Sequence, residues 1–223
     1  GRARDALLAR VGTVDPETRR LLDIRIEDLL DYQGKGYAGR YVDVVSRAAD
    51  AERNIAGATG EVTRAVARNL HKLMAYKDEY EVARLLTQDT FRERALAGFA
   101  PGSKLYFNLQ PPLLRAFGMK KKVAFGAWFA PVLKILAALR FVRGTPLDIF
   151  GYAATRREER RLIAWYVGLL NRALTKLSAG NLDIAREIAE VPDDIRGYEE
   201  IKLKSVVKAR ERADTLMNAL VAG

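Results

Sequence analysis

The chain has 223 residues, of which 49% are hydrophobic and 30% charged; this composition excludes wholesale disorder, and the length suffices to bury a core without staples. It has no cysteine and one histidine, so disulfide scaffolds, zinc ribbons, iron–sulfur ligation, cysteine nucleophiles and a histidine-rich metal site are excluded from this segment. The formal net charge of +10 favours acidic partners.

Most of the chain reads as helix. Asp15 followed by Pro16 is a cap with proline at the first helical position, and Leu21, Leu22, Ile24, Ile26, Leu29 and Leu30 carry that helix toward Gly34. Residues Arg40–Arg53 repeat the pattern, and Gly57-Ala58-Thr59-Gly60 is a turn. Glu61–Thr87 holds no glycine or proline and keeps apolar residues three or four apart. That spacing predicts one long helix, or two joined near Lys77. A shorter helix is expected over Asp89–Ala97.

The middle of the chain is irregular. Pro101-Gly102 interrupts the pattern, Lys104–Leu109 has strand-like composition, and Pro111-Pro112 stops it. Gly118–Gly126 reads as a basic loop around Lys120, Lys121 and Lys122, followed by an apolar helix over Trp128–Phe141. The stretch Phe125–Val142 is interrupted by Pro131, Lys134 and Arg140, and nowhere does an uninterrupted run of about 18 apolar residues occur. Thr155 is expected to cap a long helix to about Ser178, and Asn181 a short one to Glu190. Pro192–Tyr198 is a connector and Glu199–Val221 a final helix. The expected fold is mostly α, a single compact multi-helix domain over residues 1–223 with an irregular central insertion and one short strand or hairpin near 104–109. No secretory leader opens the chain. It begins with Gly1 in place of methionine, which hints at a piece of something longer or a processed chain, and the domain is expected to be the C-terminal part of a larger polypeptide.

Candidate chemistry is sparse. Gly34-Lys35-Gly36-Tyr37-Ala38-Gly39 has the lettering of a dinucleotide fingerprint, but that reading needs a strand before it, and what precedes it has helical patterning. A glycine-rich helix–helix connection is the better expectation. His71 has no second histidine to share a metal and is expected at a surface or interface. Glu79 and Glu81 are expected to be solvated charges, and Lys77 to snorkel over the core edge. In Arg156–Arg161 the spacing pairs Arg156 with Glu159 and Glu158 with Arg161 on a solvated helix face. Lys120-Lys121-Lys122 is the densest run of one sign and a candidate patch for an acidic partner. There is no G-x-x-x-x-G-K loop and no G-x-S-x-G elbow. No catalytic, cofactor-binding or metal-ligating residue is assigned.

Five stretches together carry a resemblance. They are Val66-Ala67-Arg68-Asn69-Leu70-His71-Lys72-Leu73-Met74-Ala75-Tyr76-Lys77-Asp78-Glu79-Tyr80-Glu81-Val82-Ala83-Arg84-Leu85; Pro111-Pro112-Leu113-Leu114; Phe125-Gly126-Ala127-Trp128; Arg143-Gly144-Thr145-Pro146-Leu147-Asp148-Ile149-Phe150-Gly151-Tyr152; and Ile195-Arg196-Gly197-Tyr198. In this order they resemble the C-terminal domain of fused, single-chain indolepyruvate ferredoxin oxidoreductases, of the 2-oxoacid:ferredoxin oxidoreductase family, from about Asp15 to Leu220. His71 and Ile149 depart from that pattern, where a bulky apolar residue and a proline are expected.

The resemblance implies a cytoplasmic parent enzyme that oxidises an aryl or branched 2-oxo acid with coenzyme A to an acyl-CoA. It would pass the electrons to ferredoxin or a similar acceptor and use thiamine diphosphate and, as is usual in that family, iron–sulfur clusters. The thiamine signature and the cluster cysteines are absent from this chain, so the segment is expected to be a non-catalytic accessory domain for assembly or docking. Tyr76, Lys77, Arg84, Arg196 and Tyr198 are its candidate interdomain contacts, and Lys120, Lys121 and Lys122 its candidate ferredoxin patch. The alternative is a free-standing basic helical module for nucleic acid or an acidic protein. Nucleic acid is disfavoured by the lack of aromatic residues interleaved with the basic ones. No membrane partner is expected.

Overall fold

A computed structural model describes residues 1–88, 107–109, 123–197 and 199–222. The fold is mostly α. The expectations for Asp89–Ala97, for Lys104–Tyr106, for Lys120, Lys121 and Lys122, and for Tyr198 lie outside the described residues. The chain divides into two compact units: residues 1–76 with 157–223, and residues 77–156. The second spans the segment that the sequence marks as an irregular insertion.

The first unit opens with α1 (Arg2–Ala9), α2 (Pro16–Tyr32), α3 (Lys35–Arg53) and α4 (Glu61–Met74). Residues Ala154–Leu174 (α7), Leu182–Glu190 (α8) and Glu199–Ala222 (α9) return to it after the insertion. The cap expected at Asp15 is present: its carboxylate accepts the backbone N–H of Glu17 and of Thr18. Such a cap contributes roughly 1 kcal/mol. Helix α4 has the most sharply sided pattern of the four and packs against α2, α3 and α8. Leu22, Ile26, Leu29, Tyr41, Val45, Val66, Leu70, Leu162, Tyr166, Leu170 and Ile188 form the centre of one continuous core.

Tyrosine hydroxyls inside that core are satisfied by backbone carbonyls. Tyr41 donates to Ala67 O at 2.9 Å and Tyr166 to Ala189 O at 2.6 Å. Burial, the larger effect, drives both phenols well above their ordinary pKa. These bonds fix α3 to α4 and α7 to α8, since an unpartnered hydroxyl there costs more than a bonded one contributes.

The second unit holds α5 (Glu79–Leu86), the antiparallel pair β1 (Phe107–Leu109) and β2 (Val123–Phe125), and α6 (Ala130–Ala138). Phe107 pairs with Phe125 and Leu109 with Val123. The segment Glu61–Thr87 is therefore two helices, and the break falls over residues 75–78. The apolar helix expected over Trp128–Phe141 is α6 flanked by tighter 3-10 turns, Ala127–Phe129 and Leu139–Val142. Ala83 of α5 packs with Leu133 and Ala137 of α6 as a small separate core.

Candidate functional site

Among the described residues, a cluster of buried polar groups lies in the second unit and begins with the helix break. Asp78 caps α5 by accepting the N–H of Glu81 at 2.9 Å. Its two oxygens also take a forked contact from Arg143, Nε to Oδ2 and Nη2 to Oδ1, the latter at 2.8 Å. Both residues are 3% exposed, so each charge depends on the other for solvation. The Arg143 guanidinium also lies 5.6 Å from the centre of the Tyr80 ring.

Tyr80 extends the cluster. Its hydroxyl donates to Asp148 Oδ1 at 3.2 Å, and its ring meets Phe150 edge-on at 5.3 Å. Burial first, and then the Asp148 charge and hydrogen bond, push the phenol far above its ordinary pKa, with Arg143 opposing in part. Asp148 in turn accepts the N–H of Gly144 and of Gly151, at 2.8 and 2.9 Å. One carboxylate thereby closes the loop 144–151 on itself. Leu147, Ile149 and Tyr152 then face outward from that loop, each more than 60% exposed. At the two ends of the unit, Arg156 donates to Glu79 from Nε and from Nη2 at 3.3 Å.

Several expected charges have different partners. Glu81 is buried, not solvated, and accepts Arg84 at 2.7 Å from the same helix. Glu79 is half-buried with Arg156. Arg156 bonds to Glu79, and Glu159 is buried and accepts Lys202 Nζ at 3.0 Å; Glu158 pairs with Arg161, at 3.8 Å. His71 is buried rather than superficial: Nε2 lies 2.8 Å from Asp28 Oδ2, and the Tyr41 ring stands edge-on at 6.4 Å. Lys77 is exposed.

The Gly34–Gly39 run is the helix–helix connection that its context favoured. Gly34 precedes α3 with φ of 99°, and Gly36 and Gly39 lie within the helix. Helix α2, not a strand, comes before it, so the phosphate-binding geometry of that motif is not built here.

Of the candidate interdomain residues, Tyr76 is buried in the first unit. Its carbonyl accepts the Tyr32 hydroxyl at 2.9 Å, and the two rings meet edge-on at 6.1 Å. Arg196 is exposed in the same unit; its Nε donates to Asp193 O at 2.9 Å. Lys77 and Arg84 belong to the second unit, one exposed and the other paired with Glu81.

The first unit has a cleft of about 320 Å³ lined by Thr13, Asp15, Glu52, Arg53, Thr59 and Thr63 among others. Its carboxylates are already engaged. Glu52 accepts the N–H of Val62 and Thr63 and the Thr63 hydroxyl, at 3.2, 2.8 and 2.6 Å, and so caps α4 from a neighbouring helix. Asp15 caps α2 and accepts Arg64 at 2.9 Å. Burial alone would raise the Asp15 carboxyl; the Thr18 hydrogen bonds and Arg64 outweigh it and hold the group below the usual value. No group of three or more histidine, aspartate or glutamate side chains able to hold a metal occurs among the described residues, and no described helix is long and apolar enough to cross a membrane.

A family model matches residues 18–215, nearly the whole chain. The chain belongs to a family of unknown function, DUF6537. No curated protein and no solved structure matches it. Two of the matched stretches carry the buried polar cluster, 78–81 and 143–151, so the cluster lies inside the family region.

Proposed function

We propose that the chain is a helical accessory domain of an indolepyruvate-type 2-oxoacid:ferredoxin oxidoreductase, with a role in assembly or partner docking and without a reactive group of its own. One observation carries this reading beyond the resemblance itself. The stretch Arg143–Tyr152 and the turn before Ile195–Tyr198 are tied to the longest of the stretches that resemble that family. From Val66–Leu85, Lys72 reaches the carbonyl of Pro192 at 2.8 Å, in the turn that leads to Ile195-Arg196-Gly197. Asp78 and Tyr80 of the same stretch hold Arg143 and Asp148. Within each unit, residues far apart in sequence that resemble one family also bond to one another, which supports a shared architecture over scattered coincidence. Their charged groups serve each other, which supports a scaffolding role.

The parent reaction would oxidise a 2-oxo acid with coenzyme A to an acyl-CoA and pass electrons to ferredoxin. Thiamine diphosphate and iron–sulfur clusters would serve it from other segments, because this chain supplies no cysteine ligand. Lys120, Lys121 and Lys122, with the net charge of +10, are the candidate patch for acidic ferredoxin.

The test is a paired assay with indolepyruvate, coenzyme A and ferredoxin. The intact native polypeptide should reduce ferredoxin, and the isolated 223-residue chain should stay at background. An inactive intact polypeptide, properly loaded with cofactor, or turnover by the chain alone, would overturn the reading.

A further inference from the structure

Helix α6 is apolar on both sides. Its inward face, Leu133 and Ala137, is buried against α5. Its outward face continues the same chemistry into solvent. Trp128 is 70% exposed, Val132 46%, Ile135 64% and Leu139 39%, at spacings of four, three and four residues, and Phe141 beyond them is 66% exposed. Such spacing places Val132 and Ile135 on one side of α6, and Trp128 and Leu139 extend the exposed apolar surface from the 3-10 turns at its two ends. A helix that is apolar all round is one that is covered all round. The exposed area is on the order of 500 Å², above the few hundred at which a patch marks an interaction site.

The patch is also held in place. Trp128 meets the rings of Phe125 and Phe129 edge-on at 6.1 and 5.5 Å, and those two rings stack at 4.2 Å. Little side-chain entropy remains to be lost on covering it.

Charge selects the occupant. Between Gly126 and Leu147 the sequence has three cations, Lys134, Arg140 and Arg143, and no acid. Arg143 is buried and neutralised by Asp78. Lys134 is exposed beside Ile135, and Arg140 separates Leu139 from Phe141; neither meets a carboxylate among the described residues. A second copy of the same face would set cation against cation, because a two-fold interface repeats each contact. Binding to an anionic lipid surface draws on a polar face rich in lysine and arginine, whereas the other side of α6 is protein core.

We propose that the outward face of α6 docks a protein surface with an apolar centre rimmed by carboxylates. The apolar stripe supplies the buried centre of the interface, and Lys134 and Arg140 set orientation and discriminate against neutral or basic partners. This inference rests on α6 and its charges, independently of the oxidoreductase reading.

The experiment places photoreactive p-benzoylphenylalanine at position 135 of the intact native polypeptide and irradiates it in the cells that make it. A parallel variant carries Lys134→Glu and Arg140→Glu. The expected result is one dominant cross-linked peptide bearing at least two Asp or Glu near an apolar residue, from another domain or another protein. Its yield should fall at least fivefold in the charge-reversed variant while the melting temperature is retained. A cross-link confined to residues 89–106 or 110–122 of the same chain, to a second copy of α6 or to lipid would overturn the proposal. So would the absence of any protein adduct, or a yield indifferent to charge reversal. A 2-oxo acid assay that fails while this cross-link forms would remove the oxidoreductase reading alone.

Discussion

Replacing Arg143 with methionine keeps a long side chain and removes the charge. Among the described residues, Asp78 then loses two of its three donors and its only bonded cation, retaining the Glu81 N–H. Removing one partner of a buried ion pair costs about 3–5 kcal/mol, because the other is left charged and dry. At about 1.4 kcal/mol per decade, the locally open form should rise by roughly two to three and a half orders of magnitude. Backbone amides of α5 report this directly, among them Val82 N–H, which bonds to Asp78 O at 2.9 Å. Hydrogen exchange read by mass spectrometry should show α5 losing protection by that factor while α2 and α3 keep theirs. The double variant Asp78→Asn, Arg143→Met should recover most of the loss, since no uncompensated charge remains. An α5 exchange rate that rises less than tenfold in the single variant, or a double variant as labile as the single, would refute the reasoning.

Three further outcomes follow from the first unit. Asp15→Asn keeps a good cap but removes a carboxylate whose folded pKa is depressed. That group adds stability above its unfolded value of about 3.9, lost as pH falls through the lower folded value. The variant should therefore show a shallower acid limb in its denaturant midpoint against pH; a limb as steep as before would contradict the assignment. Glu52→Gln should lower stability by about 1–2 kcal/mol in urea unfolding, because the anion at the α4 N-terminus is lost. Gly60→Ala should cost about 1 kcal/mol or more and lower the melting temperature, since Gly60 has φ of 84° and a Cβ there would stand 2.9 Å from Asp15 Oδ2.

The helical class and most helices were legible because their signals are local. Asp15-Pro16 marks a start, Gly34 and the Gly57–Gly60 turn mark joints, and the α4 stripe has helical spacing. The distant partners of charged residues were not legible, although the local pair of Glu158 with Arg161 was. Glu79 and Glu81 look solvated in one dimension, and only contacts 65 and 77 residues away bring Arg143 to Asp78 and Arg156 to Glu79. The spacing of Asp78 and Glu81 before an apolar run was a usable capping signal, and it locates the break that periodicity left near Lys77. Helix α1 lacks a side-chain cap and had no such marker. His71 escaped for a related reason: its burial depends on Asp28, 43 residues earlier, which offers a partner that no helical period reveals.

The pairing of Glu79 with Arg156 bears on how the chain comes together during synthesis. The first unit is built from two lengths of chain on either side of residues 77–156, so its core stays incomplete until the later length emerges. Joining the ends of a loose loop of about 80 residues is costlier than joining those of a loop of a few residues by roughly 3 kcal/mol, at about 0.6 per doubling. An intervening unit that ties its own entrance to its exit, as Glu79 and Arg156 do, removes much of that entropic penalty before the late helices arrive. Residues 77–156 would then act as an internal splint. Their early closure would shorten the effective sequence separation between α4 and α7, and quicken a search that the linear order of the chain makes long.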